Sequence, residues 1–222
     1  MTATPAKTST HATLSAGELL RTGPVLPVIV IHDASVAVDL AAALVAGGIR
    51  TLEVTLRTPA ALQAIRQIRD RVPGALVGAG TVLTPQDWQR AQDAGSLFGI
   101  SPGLTPALLA ATRDGPLPFV PGVSTASEAM IALEAGFTAL KLFPAEAVGG
   151  RALLKSLHGP LPQLLFCPTG GINPANAASY LALPNVACVG GSWLVPDAAL
   201  AARDWDAITA LAREALALRP SA

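Results

Sequence analysis

The chain has 222 residues, 51% of them hydrophobic and 14% charged, with 15 Lys and Arg against 15 Asp and Glu. Zero net charge without a basic stripe offers nothing to neutralise a line of phosphates, which excludes a nucleic-acid partner, and the length suits one α/β barrel of roughly 200–250 residues. Mean hydropathy is +0.48, yet the longest apolar run, around Val36 to Ile49, is broken by Asp39 and ends at Gly47-Gly48, short of the about 20 residues a membrane span needs.

Residues 1–12 are rich in Thr, Ala and Ser and lack the apolar stretch of a signal peptide, so a cytoplasmic location is expected and residues 1–13 are expected to form a flexible tail. Cys167 and Cys188 have no CxxC spacing and lie in separate apolar segments, as reduced core residues do. Leu14 to Arg21 reads as a short helix capping one end of the barrel.

From Val25 the sequence alternates short β-branched runs with Ala/Leu-rich stretches of helical spacing. The runs predict strands at Val25–Ile31, Thr51–Leu56, Leu76–Val82, Leu97–Ser101, Pro118–Val123, Ala139–Phe143, Leu164–Thr169 and Val186–Gly190. Helices are predicted to begin near Ser35, Pro59, Thr84, Thr105, Thr125, Gly149, Asn173 and Asp204. Thr84-Pro85, Thr105-Pro106 and Asn173-Pro174 pair an N-cap residue with Pro in the first turn. Ala46-Gly47, Ala94-Gly95 and Ala135-Gly136 read as helix stops, because glycine accepts the left-handed backbone that ends a helix. About eight such repeats predict a (β/α)₈ TIM barrel as a single domain over residues 14–222. A doubly wound open sheet shares the alternation, but its GxGxxG turn is missing from Ile31-His-Asp-Ala-Ser35.

In barrel strands alternate residues face the interior and the helices. Leu52, Val54 and Leu56 share the helix side, which sends Glu53, Thr55 and Arg57 inward, where charges are costly unless paired or functional. Small residues at Gly78, Gly80 and Thr81 leave room beside the third strand for a ligand, or simply fit the interior. The chain has only three lysines against twelve arginines. Lys7 falls in the tail, and Lys155 lies on a helical segment facing solvent. Lys141 interrupts an apolar strand and shares parity with Ala139 and Phe143, so it enters the interior. Desolvation disfavours an ammonium there and favours the amine that imine formation on a ketone needs. The bland alternative is a buried Lys141–Glu53 ion pair without chemistry.

Two glycine pairs, Gly170-Gly171 and Gly190-Gly191 followed by Ser192, end the seventh and eighth strands. Loops at those places hold phosphate in many barrels, so Gly170, Gly171, Gly191 and Ser192 are phosphate candidates. His11, His32 and His158 form no spaced cluster, so a metal site is not expected.

The segments Leu52-Glu-Val-Thr-Leu-Arg-Thr58, Val77-Gly-Ala-Gly-Thr-Val82, Ile100-Ser-Pro-Gly-Leu-Thr105, Lys141-Leu-Phe-Pro-Ala-Glu146, Cys167-Pro-Thr-Gly-Gly-Ile172 and Gly190-Gly-Ser-Trp-Leu194 together resemble the 2-keto-3-deoxy-6-phosphogluconate (KDPG) aldolases of the Entner–Doudoroff pathway. The resemblance runs from about Leu14 to Leu216. It implies a class I aldolase, without metal or cofactor, that forms a Schiff base on Lys141 and moves protons with Glu53. It further implies that Arg57 and Thr81 hold the pyruvyl carboxylate, that Thr169 contacts substrate hydroxyls or carboxylate, and that Pro102 and Phe143 wall the pocket. The products would be pyruvate and D-glyceraldehyde 3-phosphate, the partner a small phosphorylated keto acid, and the assembly a homotrimer. Activity on 4-hydroxy-2-oxoglutarate, an aldolase for the galactonate epimer, a phosphate-binding barrel isomerase without a Schiff base, and a sugar-phosphate binding module without turnover remain as alternatives.

Overall fold

The structure, a computed structural model, describes residues 14–218, and the tail expected over residues 1–13 lies outside the described residues. Nine strands follow one another in the described residues: β1 (Val25–Ile29), β2 (Thr51–Thr55), β3 (Leu76–Gly80), β4 (Gly99–Ile100), β5 (Phe119–Val120), β6 (Gly122–Val123), β7 (Ala139–Leu142), β8 (Leu165–Pro168) and β9 (Val189–Gly191). All pairings are parallel, in the orders β5-β4-β3-β2-β1-β9 and β6-β7-β8. Single parallel bridges, Phe166 to Val186 and Thr169 to Gly190, join β8 to the segment of β9. The run expected as one strand over Pro118–Val123 is split at Pro121, which has no N–H for the ladder.

Ten α-helices in the described residues lie among these strands: α1 (Ala16–Leu20), α2 (Ala37–Ala46), α3 (Ala61–Arg71), α4 (Pro85–Asp93), α5 (Pro106–Thr112), α6 (Ala126–Glu134), α7 (Gly150–His158), α8 (Pro174–Leu181), α9 (Asp197–Ala202) and α10 (Trp205–Leu216). Their starts follow the expected caps. Thr84 Oγ1 accepts from Asp87 N at 3.0 Å, Thr105 Oγ1 from Leu108 N at 3.2 Å, and Asn173 Oδ1 from Ala175 N at 2.9 Å. Ser15 and Glu18 close a reciprocal box at α1, as Thr125 and Glu128 do at α6. Helix α9 was not anticipated; its N-cap, Pro196, makes no side-chain capping bond.

The parity of the strands sorts two apolar cores. Leu52, Val54, Val77, Leu140, Leu142 and Phe166 pack outward with the helices, in the cluster that includes Leu40, Ile65 and Ile68. Leu26, Ile100, Val120, Ala139 and Cys167, drawn from strands of both sheets, and Cys188, just before β9, meet Phe98 and the α1 residues Leu19 and Leu20 in a separate cluster. Strands from both sheets can share that inner cluster only if the sheets curl around it. The fold is therefore α/β, with a mostly parallel curled sheet whose N-terminal end is plugged by α1.

One glycine expectation is refined. The left-handed residue after α2 is Gly48, at φ 95°, whereas Gly47 has φ −79°. Gly47 is instead the point where α10 meets α2, since a Cβ there would overlap Ala212. Gly95 and Gly136 have φ 86° and 92°, as expected of helix stops.

Candidate active site

Interior parity carries Glu53 on β2 and Lys141 on β7 toward each other across the enclosed end of the sheet. Lys141 Nζ donates to Glu53 Oε1 at 3.2 Å, and the two side chains are 6% and 1% exposed. Glu53 Oε2 is buried with no hydrogen-bond partner among the described residues. A buried carboxylate oxygen left without a donor is costly, so this atom is poised for a group that the polypeptide does not supply. Lys141 Nζ also lies 5.4 Å from the Phe143 ring centroid, within reach of a cation–π contact.

Glycines shape this centre rather than leaving it empty. The space at Gly78 is taken by Phe98, whose ring atoms lie 2.5 Å from where a Cβ would stand. At Gly80 a Cβ would overlap Glu53 Oε1. The room beside the third strand therefore accommodates Phe98 and the acid itself.

Arg57 and Thr81 meet at the mouth. Arg57, two residues past β2, is exposed, and its Nε donates to Thr81 Oγ1 at 3.3 Å. The expectation that it turns inward holds for its strand neighbours Glu53 and Thr55, whereas Arg57 has already left the strand. Thr81 sits at φ 57°, a left-handed conformation that costs a β-branched residue roughly 1–3 kcal/mol. Half-buried Pro102 follows β4, its carbonyl pressed on the backbone of Gly122, where no Cβ would fit.

Beyond β8, Thr169 is buried and packs on Gly190, and Gly170 and Gly171 turn through φ 99° and 81°. The carbonyls of this loop are engaged: Ala145 N donates to Thr169 O at 2.8 Å, Glu146 N to Gly170 O at 3.1 Å, and Asn176 Nδ2 to Gly171 O at 3.0 Å. The N–H groups of Gly170 and Gly171 have no acceptor among the described residues. Gly191 ends β9 and Ser192 follows it, exposed. The two glycine loops are neighbours through the Thr169–Gly190 bridge, and the N–H groups of Gly170 and Gly171 make that corner able to receive an anion.

Sequence reasoning missed Ser124, Glu146, Asn176 and Tyr180. Ser124 Oγ donates to Phe143 O at 2.6 Å and so fixes the backbone at Phe143. Tyr180, fully buried, donates its hydroxyl to Glu146 Oε1. Burial, then the adjacent Glu146 carboxylate, pushes the Tyr180 phenol far above its ordinary range, so it remains a donor. The available signal was that Tyr180 is the one tyrosine of the chain, one helical turn after Asn176. Among the described residues no group of three or more His, Cys, Asp or Glu is placed to hold a metal ion. A cavity of about 440 Å³, lined by Leu14, Leu19, Thr22, Arg50 and Leu117, lies at the other end of the strands, beside α1.

The family model for KDPG and KHG aldolases matches residues 17–211. The KHG/KDPG aldolase of Escherichia coli K12 is 56% identical over 202 residues, covering 91% of this chain and 95% of that protein. Among solved structures, the KDPG aldolase of Legionella pneumophila with pyruvate captured as a covalent carbinolamine superposes with TM-score 0.90 at 48% identity, covering 91% of this chain and 98% of that one. The KDPG aldolase of Zymomonas mobilis ZM4 with 3-phosphoglycerate gives 0.88 at 48% identity, over 94% and 99%.

Proposed function

Because the chain belongs to the KDPG and KHG aldolase family, we propose that it cleaves 2-dehydro-3-deoxy-6-phosphogluconate to pyruvate and D-glyceraldehyde 3-phosphate, with Lys141 as the Schiff-base amine and Glu53 as the proton carrier. The observation that carries this assignment is the buried Lys141–Glu53 contact beside an unpartnered carboxylate oxygen. A purely structural ion pair would be expected to satisfy both oxygens.

In the proposed cycle a proton passes from Lys141 to Glu53, and the neutral amine adds to the C2 ketone. Glu53 returns the proton to the carbinolamine hydroxyl, and water leaves the iminium. Glu53, again a carboxylate, takes the C4 hydroxyl proton. The C3–C4 bonding electrons move into the iminium, which releases the aldehyde and leaves an enamine. Glu53 protonates that enamine at C3, and hydrolysis frees pyruvate and Lys141. The cation on nitrogen is the electron sink, so the cycle calls for no metal or other cofactor.

Arg57 and Thr81 are the proposed holders of the pyruvyl carboxylate, Thr169 of hydroxyls or carboxylate, and Pro102 and Phe143 the wall. Gly170, Gly171, Gly191 and Ser192 are proposed to bind the phosphate, supported by the open N–H groups of the first two. Activity on 4-hydroxy-2-oxoglutarate is a second reading, which the dual name of the Escherichia coli relative favours. The same proposal takes residues 14–222 as a single domain with a full (β/α)₈ barrel. Support comes from the bridges between β8 and the β9 segment and from β5 and β6 behaving as one interrupted strand. A homotrimer is the proposed assembly, supported by exposed Leu83, Met130 and Ile131. The cytoplasm is the proposed location, since an ionised sugar-acid phosphate does not cross a bilayer unaided.

The test compares pyruvate release from the gluconate-derived phosphate, its C4 epimer and 4-hydroxy-2-oxoglutarate. The highest kcat/KM is expected for the first. Preference for the epimer would move the assignment to the galactonate enzyme, and no release from any would overturn the aldolase reading.

A further inference from the structure

Helix α8 presents two polar side chains one turn apart, Asn176 and Tyr180, toward the Thr169–Gly171 loop. Asn176 Nδ2 holds the Gly171 carbonyl at 3.0 Å. Tyr180 holds Glu146, whose backbone N–H takes the Gly170 carbonyl at 3.1 Å. The Glu146 side chain also lies directly on Gly171, its Cγ 2.5 Å from where a Cβ would stand. At Gly150 (φ 52°) a Cβ would come within 2.5 Å of the Tyr180 hydroxyl, so the backbone is cleared for the phenol–carboxylate contact. The Gly171 carbonyl is thus fastened by α8 directly and the Gly170 carbonyl by Glu146, which Tyr180 of α8 holds, while the N–H groups of both glycines have no acceptor among the described residues.

We propose that Glu146, Tyr180 and Asn176 are positioning residues that set selectivity for phosphorylated substrate, by presenting the Gly170 and Gly171 N–H groups as a rigid anion cradle. This rests on the reading of that loop as the phosphate subsite. Glycine pays heavily in entropy to be ordered, so two adjacent glycines bind an anion well only when their other backbone groups are already fixed. The brace touches neither Lys141 nor Glu53 among the described contacts, so its loss falls on phosphate recognition and spares the proton and imine steps. Burial and the neighbouring carboxylate keep the phenol protonated, so the brace persists across the neutral and mildly alkaline range.

The experiment measures KM and kcat for the phosphorylated substrate and for 4-hydroxy-2-oxoglutarate, with inorganic phosphate as a competitive inhibitor, in Tyr180→Phe, Asn176→Ala, Glu146→Ala and Glu146→Gln. Ser192→Ala serves as the direct probe of the subsite. Losing one brace contact is expected to raise KM for the phosphorylated substrate and the phosphate inhibition constant together, by about fivefold. The accompanying rise in KM for 4-hydroxy-2-oxoglutarate should be several times smaller, and kcat should change little. Glu146→Gln retains an acceptor for the phenol and should restore most of the selectivity lost in Glu146→Ala. If Ser192→Ala shows the selective loss and the brace variants do not, the inference falls while the subsite reading stands. If no variant distinguishes the two substrates, the subsite reading falls and takes the inference with it. An equal loss on both substrates in the brace variants would make them general structural residues and overturn the inference.

Discussion

Glu53 and Lys141 face each other because β2 and β7 each send one ionisable side chain inward, where every other strand contributes apolar or small groups. Their parity was legible: alternation along Thr51–Arg57 and Ala139–Phe143 separates the helix side from the interior, and that division matches the two apolar clusters. What one strand's alternation could not say is which inward group meets which, because that depends on the curl of the sheet. The strain at Thr81 was likewise invisible, since nothing in a threonine marks it for φ 57°. Tyr180 and Glu146 escaped notice because their contact joins segments 34 residues apart. At this scale the proposed role of Glu53 makes a direct prediction. Glu53→Gln keeps shape and one hydrogen bond but cannot carry the proton, so kcat should fall by about a hundredfold or more. Urea unfolding would show whether the fold persists, and a loss of less than tenfold would remove Glu53 from the proton path.

At the scale of elements, the caps were the most readable features, because Thr-Pro and Asn-Pro pairs act within one turn of chain. Strand ends were less so. Pro121 splits an apolar run into β5 and β6, and Gly47 caps α2 and meets α10 while the left-handed turn falls to Gly48. The first follows from the N–H that proline lacks, whereas the contact of Gly47 with α10 depends on a partner distant in sequence. The α4 cap offers a stability test. Burial alone would raise Asp87, but bonds from Arg90, Thr84 and the Leu83 and Thr84 N–H groups outweigh it and hold its pKa below 3.8. A lowered folded pKa means that the stabilisation is present above the ordinary value and is lost as pH falls through the folded one. Thr84→Ala should cost about 1 kcal/mol in urea unfolding. The urea-midpoint difference between wild type and Asp87→Asn should stay level from neutral pH down to about pH 5 and shrink below pH 3.8. A difference that grows with acid would contradict the assigned sign.

For the whole molecule, repeat count and length pointed to a (β/α)₈ barrel, and of that the structure shows the α/β fold with a mostly parallel, curled sheet. The α1 plug was legible as a short capping helix, and its Leu19 and Leu20 complete the inner core. Assembly was not legible, because exposed apolar residues such as Leu83, Met130 and Ile131 are scattered along the chain and sequence does not group them into a face. Light scattering should return three copies of the 22.5 kDa chain. A monomer or dimer mass at micromolar concentration would overturn the trimer.

The most direct measurement is reductive trapping. The protein is incubated with pyruvate and borohydride, digested, and its lysine peptides weighed, alongside Lys141→Met treated in the same way. A pyruvyl adduct on the Lys141 peptide, absent from the variant and from Lys155, is the expected result. A folded protein that traps no pyruvate, or traps it equally on Lys155, would contradict Schiff-base chemistry at Lys141.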